Sequence, residues 1–161
     1  MTRRKLSTYA AAHLAAANTG VGMFRAAAAR YRGTELGEEL AQLATAVGED
    51  RGRLEGILRR LGVDPGLPPL RVAAQALEGA GHASRALHLW MGLPDVAQLE
   101  ALRNAVSAKA AGWDVMLAAC DIHPELDAKE LQDLLVRAHE QADLLRRLHI
   151  HMAAERLGER A

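Results

Sequence analysis

Apolar residues recur along this chain in steps of three and four, the spacing that places them on one face of an α-helix. The first such row is Leu6, Ala10, His13, Ala17, Gly20, Phe24, Ala27 and Tyr31. The second row is Leu36, Leu40, Leu43, Val47, Asp50, Leu54, Ile57 and Leu61. Between them lie Gly33, a helix terminator, and Thr34, a favourable N-cap. The pattern predicts helices over residues 6–32 and 35–61, folded into an antiparallel hairpin.

The same spacing returns in the second half of the chain. The third row is Leu99, Leu102, Val106, Lys109, Trp113, Met116 and Cys120, and the fourth is Leu131, Leu134, Ala138, Gln141, Leu145, Leu148 and Met152. Pro94 is expected at the first helical position of the third helix. Asp127, with Glu130 three residues later, resembles a capping box for the fourth. We therefore predict helices over residues 95–120 and 127–157.

Residues 62–93 lack this long periodicity and are predicted to form a crossover. Several prolines and glycines open the segment, and two short helices are expected within it, over residues 70–77 and 83–91. The pattern as a whole predicts one all-α domain over residues 1–161. Its predicted architecture is a four-helix bundle in which two antiparallel hairpins are joined by one long crossover.

Composition and charge narrow the range of partners. The 20 Lys and Arg residues balance 20 Asp and Glu residues, so no net field favours nucleic acid or an anionic membrane. Cys120 is the only cysteine, which excludes an internal disulfide and indicates a cytoplasmic protein. The basic residues before Leu6 could belong to a secretory signal. However, the first helical row continues unbroken through a weakly apolar stretch, which favours a helix of the folded domain and argues against a membrane span.

The predicted arrangement resembles the ferritin-like superfamily, including the rubrerythrin-type proteins. In its metal-binding members, the first and third helices each offer a Glu, and the second and fourth each offer Glu-x-x-His. The closest match to the first-helix pattern Glu-x-x-Ala-x-x-x-Tyr is Ala17, Gly20 and Phe24. The corresponding positions of the other helices are Asp50-x-x-Arg53, Val106 or Lys109, and Ala138-x-x-Gln141. The resemblance therefore implies the fold and a metal site that has lost most of its ligands, with no cofactor expected.

The predicted hairpin gives an independent estimate of what faces Asp50. A turn near Gly33 and Thr34 places Asp50 opposite Ala17, the position where a metal-binding relative has Glu. Asp50 and Lys109 are the only charged residues on the four rows, and they lie at similar distances from their helix starts. Because an isolated buried charge is costly, we predict an Asp50–Lys109 ion pair at the centre of the bundle.

Three other residues complete this predicted polar centre. Gln141 and Arg53 are expected beside the ion pair, and His13 about one turn away. In the alternative arrangement, Lys109 lays its aliphatic stem along the bundle and extends its ammonium group into water. In either arrangement we assign Lys109 a structural role, because the sequence offers no substrate pocket beside it.

Helix one also predicts an interface. No charged residue occurs between Lys5 and Arg25, and the helix interior contains Gly20 and Gly22, each unfavourable by about 1 kcal/mol relative to Ala. Ala17, Gly20 and Gly22 are therefore assigned to a surface where another helix approaches closely. We expect a homodimer through helix one, with coverage by the crossover as the alternative.

These features favour a non-catalytic structural or binding module over an enzyme. The alternative is a divergent metal-binding oxidoreductase or metal-storage protein with an atypical site around Asp50 and His13. A third possibility is a small-molecule pocket near Trp90 and Trp113. The remaining candidate metal ligands lack useful spacing and are interpreted as structural: His149, His151 and Met152 on the fourth helix, and Cys120 with His123.

Overall fold

The computed structural model describes residues 1–64 and 85–158. This part of the chain is all-α and contains no strand. Residues 85–91 are helical, and four long helices account for most of the rest: α1 (Arg3–Arg30), α2 (Glu35–Arg60), α3 (Asp95–Leu117) and α4 (Ala128–Gly158). None of the described helices is both long and apolar enough to cross a membrane.

The boundary between α1 and α2 follows from local chemistry. Thr34 is confirmed as the N-cap of α2, since its hydroxyl oxygen accepts a hydrogen bond from the Gly37 amide at 3.1 Å. Gly33 has a φ of +83°, a conformation that glycine adopts without steric cost. Helix α1 ends at Arg30, two residues earlier than predicted. It also begins three residues earlier, at Arg3, because Thr2 caps it by accepting from the Lys5 amide at 3.4 Å.

The limits of α3 differ from the prediction at both ends. Pro94 is the N-cap and not the first helical residue, because its ψ of 150° is extended. Its carbonyl oxygen accepts the first helical hydrogen bond, from the Gln98 amide at 3.0 Å. The helix ends at Leu117 and not at residue 120. Beyond it the backbone tightens to bonds spanning three residues, as in the 3.1 Å bond from Cys120 to the Leu117 carbonyl.

Half of the predicted capping box is present at the start of α4. The Asp127 carboxylate accepts from the backbone amides of Lys129 and Glu130, at 2.9 and 3.1 Å. The Glu130 carboxylate does not turn back toward Asp127 and instead pairs with Arg60 at the end of α2. The acid at this position therefore ties α2 to α4.

Contacts at one end of the bundle fix the directions of three helices. Arg3 Nε, at the start of α1, donates to the Leu61 carbonyl just after α2, at 3.2 Å. The Met1 carbonyl lies 2.9 Å from Nε2 of the buried His123, in the loop after α3. The start of α1 therefore lies beside the ends of both α2 and α3.

The opposite end is held by one carboxylate. Asp95, the first residue of α3, pairs with Arg30 at the end of α1 and with Arg156 near the end of α4, each at 2.7 Å. Helix α3 thus begins where α1 ends and runs antiparallel to it. Since α2 also runs antiparallel to α1, α2 and α3 are parallel, as expected for a single long crossover.

The arrangement of neighbours creates a shared centre. Helix α1 packs against α2 and α3, and α4 packs against the same two helices. Helices α2 and α3 therefore lie diagonally across the bundle, and long side chains from them can meet in the middle. The largest fully buried side chains of the core are Trp113, Phe24, Leu6, Leu40, Ile57, Leu58, Leu99, Leu102, Met116, Leu131 and Leu145.

Part of the predicted crossover can be compared with the structure. Residues 85–91 form most of the second predicted short helix, whereas the first, over residues 70–77, lies outside the described residues. Trp90 is buried, and its indole Nε1 donates to the carbonyl of Gln98 at 3.2 Å. The Gln98 side chain donates to the carbonyls of Met91 and Leu93 at 3.2 and 2.9 Å. This short helix is therefore attached to the first turn of α3.

Candidate functional site

Two opposite charges meet at the centre of the bundle. Lys109 Nζ on α3 lies 2.6 Å from Asp50 Oδ2 on α2. The Asp50 side chain is fully buried and that of Lys109 is 15% exposed, so this is an internal ion pair rather than a surface one. The two residues come from the diagonally opposed helices, and the pair therefore spans the interior.

Gln141 on α4 joins the two charges into a closed triad. Its amide nitrogen donates to Asp50 Oδ2 at 3.0 Å, and its side-chain oxygen accepts from Lys109 Nζ. Gln141 is itself buried. One neutral side chain thus satisfies both partners of the ion pair, which offsets part of the cost of removing them from water.

Arg137, one turn before Gln141, supplies a second cation. Its Nη2 lies 3.1 Å from Asp50 Oδ1, close enough for an ion pair but not aligned for a hydrogen bond, since that buried oxygen has no hydrogen-bond partner among the described residues. The same guanidinium donates to Glu49 Oε2 at 2.9 Å. The Glu49 carboxylate raises the Arg137 pKa, so this cation remains charged. Asp50 therefore faces two cations.

The helix registers place Ala17 at the level of this cluster. On α1 and α3, the contacts of Met1 with His123 and of Arg30 with Asp95 fix an antiparallel register in which Ala16 and Ala17 face residues near Lys109. On α1 and α2, Asn18 Oδ1 accepts from Arg51 Nε, which sets Ala17 near the level of Asp50. At this level α1 contributes only a methyl group, while each of the other three helices contributes a polar side chain.

Burial and the neighbouring Asp50 carboxylate shift the pKa of Lys109 in opposite directions. Its burial lowers the pKa of the ammonium group, and the adjacent Asp50 carboxylate partly offsets this by raising it, so that the pKa lies below its ordinary value. The Arg137 guanidinium lowers the pKa further. Of the two charges beside the Lys109 ammonium, only the Asp50 carboxylate favours its protonated form.

One residue of the predicted polar centre, Arg53, lies elsewhere. Arg53 is exposed and lines a 510 Å³ surface cleft that also includes Arg137, Asp127 and Asp133. It makes no ion pair with Asp50. The Arg137 guanidinium, from a position outside the apolar row of α4, occupies the place expected for Arg53.

His13, expected about one turn from the ion pair, packs against α3. A Cβ atom added to Gly112 would lie 2.8 Å from His13 Cε1, so the imidazole fits where α3 has no side chain. The ring is also 4.6 Å from that of Tyr9, edge to face. Burial lowers the pKa of His13. Gly112 is three residues from Lys109, which leaves His13 about one turn from the cluster.

The predicted interface glycines are not packed against the described residues. No described atom lies within 4 Å of a Cβ built on Gly20 or Gly22, and Ala17 is half-buried. The close approach that we inferred for these glycines is therefore not made within the described chain. Gly112, which the sequence did not distinguish, makes the close approach instead, between α1 and α3.

The chemistry of the cluster does not fit a metal centre. Asp50 offers a single carboxylate, and the groups nearest to it are an ammonium, a guanidinium and a neutral amide. Divalent cations require several oxygen, nitrogen or thiolate ligands, which two neighbouring cations would oppose. Across residues 1–64 and 85–158, no group of three or more His, Cys, Asp or Glu side chains could hold a metal ion.

The remaining residues that the sequence suggested as pocket or metal-site candidates lie outside the central cluster. Trp113 is buried in the core, and its indole nitrogen has no hydrogen-bond partner among the described residues. Cys120 Sγ lies 3.6 Å from the Met116 carbonyl, and burial raises its thiol pKa, which disfavours the reactive thiolate. His151 is exposed on α4 and lies 3.2 Å from Glu155.

The fold and the cluster together define an all-α bundle with an ionic core. Comparison of the chain with family models, with curated proteins and with solved structures finds no match.

Proposed function

We propose that this protein is a ferritin-like bundle with a degenerate metal centre, and that it serves as a structural or binding module rather than as an enzyme. A self-associating form through α1 is part of the proposal. The observation that carries it is the 2.6 Å contact between the Lys109 ammonium and Asp50 at the centre of the bundle.

The charge of this centre supports the proposal. A di-metal site concentrates carboxylates to balance its cations. Here the Lys109 ammonium is itself the cation beside Asp50, and Arg137 adds a second positive charge. A divalent ion bound to Asp50 would have to displace the ammonium and would still meet the guanidinium.

The helix directions also support a relationship to the ferritin-like bundles. Parallel α2 and α3 and a long connection between them are features of that arrangement. The level at which Ala17, Asp50, Lys109 and Gln141 lie is the level at which the resemblance implies metal ligands. Replacement of those ligands by an ion pair and an amide would preserve packing at the centre without the chemistry of a metal.

Metal analysis tests the proposal directly. Protein purified without chelators should contain iron, manganese and copper well below one ion per chain. Addition of Fe(II) or Mn(II) should not raise the melting temperature, although a ligand at 100 times its Kd would stabilise the fold by about 2.7 kcal/mol. Stoichiometric metal in the wild type that is lost in Asp50→Ala would overturn the proposal and favour the metal-binding alternative.

A further inference from the structure

A groove runs between α1 and α2 on the outside of the bundle. Its volume is 1240 Å³, and small residues make up much of its lining, among them Gly22, Ala29, Ala41 and Gly48. Ala29 and Ala41 are exposed, and a Cβ atom built on Gly22 or Gly48 would meet no described atom within 4 Å. The groove therefore has room for side chains that the described part of this chain does not supply.

Two cations on the α1 side of the groove lack a partner within the described chain. Arg25 and Arg32 line the groove, are exposed and make no ion pair with a described residue. They are seven residues apart, so they lie on one side of α1, about 10.5 Å from each other along the helix axis. Carboxylates are the preferred partners of guanidinium groups. The complement of this side is a pair of acids at the same spacing.

The α2 side of the groove has the opposite charge. Its charged residues are Glu38, Glu49 and Arg51. Arg51 is neutralised on its own helix, since it donates to Glu55 at 2.8 Å. Glu49 pairs with Arg137 at 2.9 Å but remains 60% exposed, and Glu38 makes no ion pair with a described residue. The groove is therefore positive along α1 and mainly negative along α2.

Helix α4 exposes a row of residues with the complementary arrangement. Val136 lies at its centre and is 47% exposed. Asp133 and Glu140, seven residues apart, lie about 40–60° to one side of Val136 around the helix axis, and Arg146 lies about 80° to the other side. All three charged residues are exposed. We call Asp133, Val136, Glu140 and Arg146 the α4 ridge.

The remaining charges near the centre of this ridge are balanced within α4. Lys129 lies 2.7 Å from Asp133, but both side chains are more than half exposed, and such a surface pair contributes little. Asp143 and Arg147 have opposite signs and lie one turn apart. Asp133 can therefore exchange its lysine for a partner on another molecule at little cost.

From these observations we infer that the α4 ridge of one copy binds in the α1/α2 groove of a second copy. A helix laid in a groove is a common mode of recognition. When α4 lies antiparallel to α1 of the second copy, its right-handed turn directs Asp133 and Glu140 toward α1 and Arg146 toward α2. The acids then face the positive side of the groove, and the base faces the negative side.

The equal spacing of the charges sets the register of this contact. If Asp133 lies beside Arg32, Glu140 lies beside Arg25, because each pair is seven residues apart. Val136 then lies over the small residues in the middle of the groove. One register therefore satisfies both arginines and also covers the apolar centre of the ridge.

The far end of the groove fits the same register. There Arg146 lies near the level of Asn18 on α1 of the second copy. Asn18 accepts a hydrogen bond from Arg51, so Glu49, two residues before Arg51, lies near that level on α2. Arg146 thus meets Glu49, and the contact has three pairs of opposite charge.

The two surfaces are different parts of the chain, so the contact is head-to-tail. Such heterologous interfaces build rings or filaments. The inference rests on the proposed role as a self-associating module, and it identifies the surface beside α1 that a second copy covers.

Sedimentation velocity over a range of concentrations, at about 50 mM salt to limit screening, tests the contact. The average mass of the wild type should rise with concentration above the 17.3 kDa of one chain. Arg25→Glu/Arg32→Glu and Asp133→Lys/Glu140→Lys should each raise the Kd about 100-fold or more, because like charges would then face each other. An equimolar mixture of the two variants should associate again, since opposite charges meet when the copies alternate.

The matched control is Arg4→Glu/Arg85→Glu, which changes the net charge as much as the groove variant does but lies outside the groove and the ridge. It should associate like the wild type. All the substituted positions are exposed, so the circular dichroism of every variant should match that of the wild type.

Three results would overturn the inference. A wild type that stays monomeric at every concentration would leave the groove to a partner other than a second copy. A mixture of the two variants that stays monomeric would show that these charges do not pair. Equal loss of association in the control would show that net charge alone governs association. Metal content, measured on the same samples, depends on the bundle centre, so failure of this contact and failure of the metal-free proposal are distinguishable.

Discussion

At the scale of single residues, substitution of Lys109 is expected to lower the stability of the fold. Lys109→Met removes the ammonium group and leaves Asp50 buried beside Gln141 and the unaligned Arg137 guanidinium. Loss of one partner of a buried ion pair costs about 3–5 kcal/mol when the other charge is left uncompensated, and the Arg137 guanidinium 3.1 Å from Asp50 favours the lower end of that range. We therefore expect the free energy of unfolding of Lys109→Met, measured by urea titration, to fall by about this amount.

The double variant Asp50→Leu/Lys109→Met separates charge from packing. Replacement of both charges by apolar groups is often neutral or stabilising, but here it leaves the buried Gln141 amide without either partner. The double variant should therefore recover part of the loss. Lys129→Met, which removes an exposed lysine paired with Asp133 on α4, should leave the urea midpoint nearly unchanged. If Lys109→Met were as stable as the wild type, the ion pair would have no role in stability.

At the scale of helices, the contact between α1 and α3 depends on one glycine. In Gly112→Ala the new methyl group would lie 2.8–3.2 Å from the His13 ring, so α1 or the ring must shift. Overpacking of this kind typically costs about 1–3 kcal/mol. We expect a corresponding decrease in unfolding free energy, measured in the same urea titration.

Two further variants assign that decrease to the contact. The double variant His13→Ala/Gly112→Ala makes room for the methyl group and should regain part of the loss. Gly48→Ala on α2 meets no atom of the described chain within 4 Å, so it should be neutral or stabilising by up to about 1 kcal/mol. If Gly112→Ala were neutral or stabilising to the same extent as Gly48→Ala, helix propensity, and not the His13 contact, would govern both positions.

The features that could be predicted from the sequence are those determined by residues close together in the chain. The Thr34 cap rests on neighbouring residues, and the burial of Asp50 on helix periodicity; both are readable from the sequence. Arg137 was missed because a long side chain reaches the centre from outside the apolar row. Gly112 was missed because a helical glycine gives no local sign of the residue that will pack against it. His13 was placed about one turn from the ion pair, but its contact with α3 could not be anticipated.

At the scale of the whole molecule, acid should weaken the fold in two stages. Burial lowers the pKa of His13 below 6.5, so below that pH the unfolded chain binds a proton that the folded chain accepts only at lower pH. Stability therefore falls as pH drops from 6.5 through the lowered pKa. Asp95 acts at lower pH: burial would raise its pKa, but the bonds and charges of Arg156 and Arg30 lower it below 3.8. Its stabilising contribution is lost only as pH falls through that lower value.

The contribution of His13 must be measured as a difference between wild type and a His13 variant, because the pH dependence of unfolding includes every group that titrates. Urea titrations of wild type and His13→Gln at pH 7.5 and 5.5 should give a smaller loss of unfolding free energy in the variant, since its side chain cannot take up a proton. As a control, His151→Gln removes an exposed histidine from α4. Between pH 7.5 and 5.5 its unfolding free energy should fall by as much as that of the wild type. Equal losses in wild type and His13→Gln would mean that the His13 ring titrates alike in the folded and unfolded chains. In that case packing against Gly112 would not link the stability of the bundle to pH.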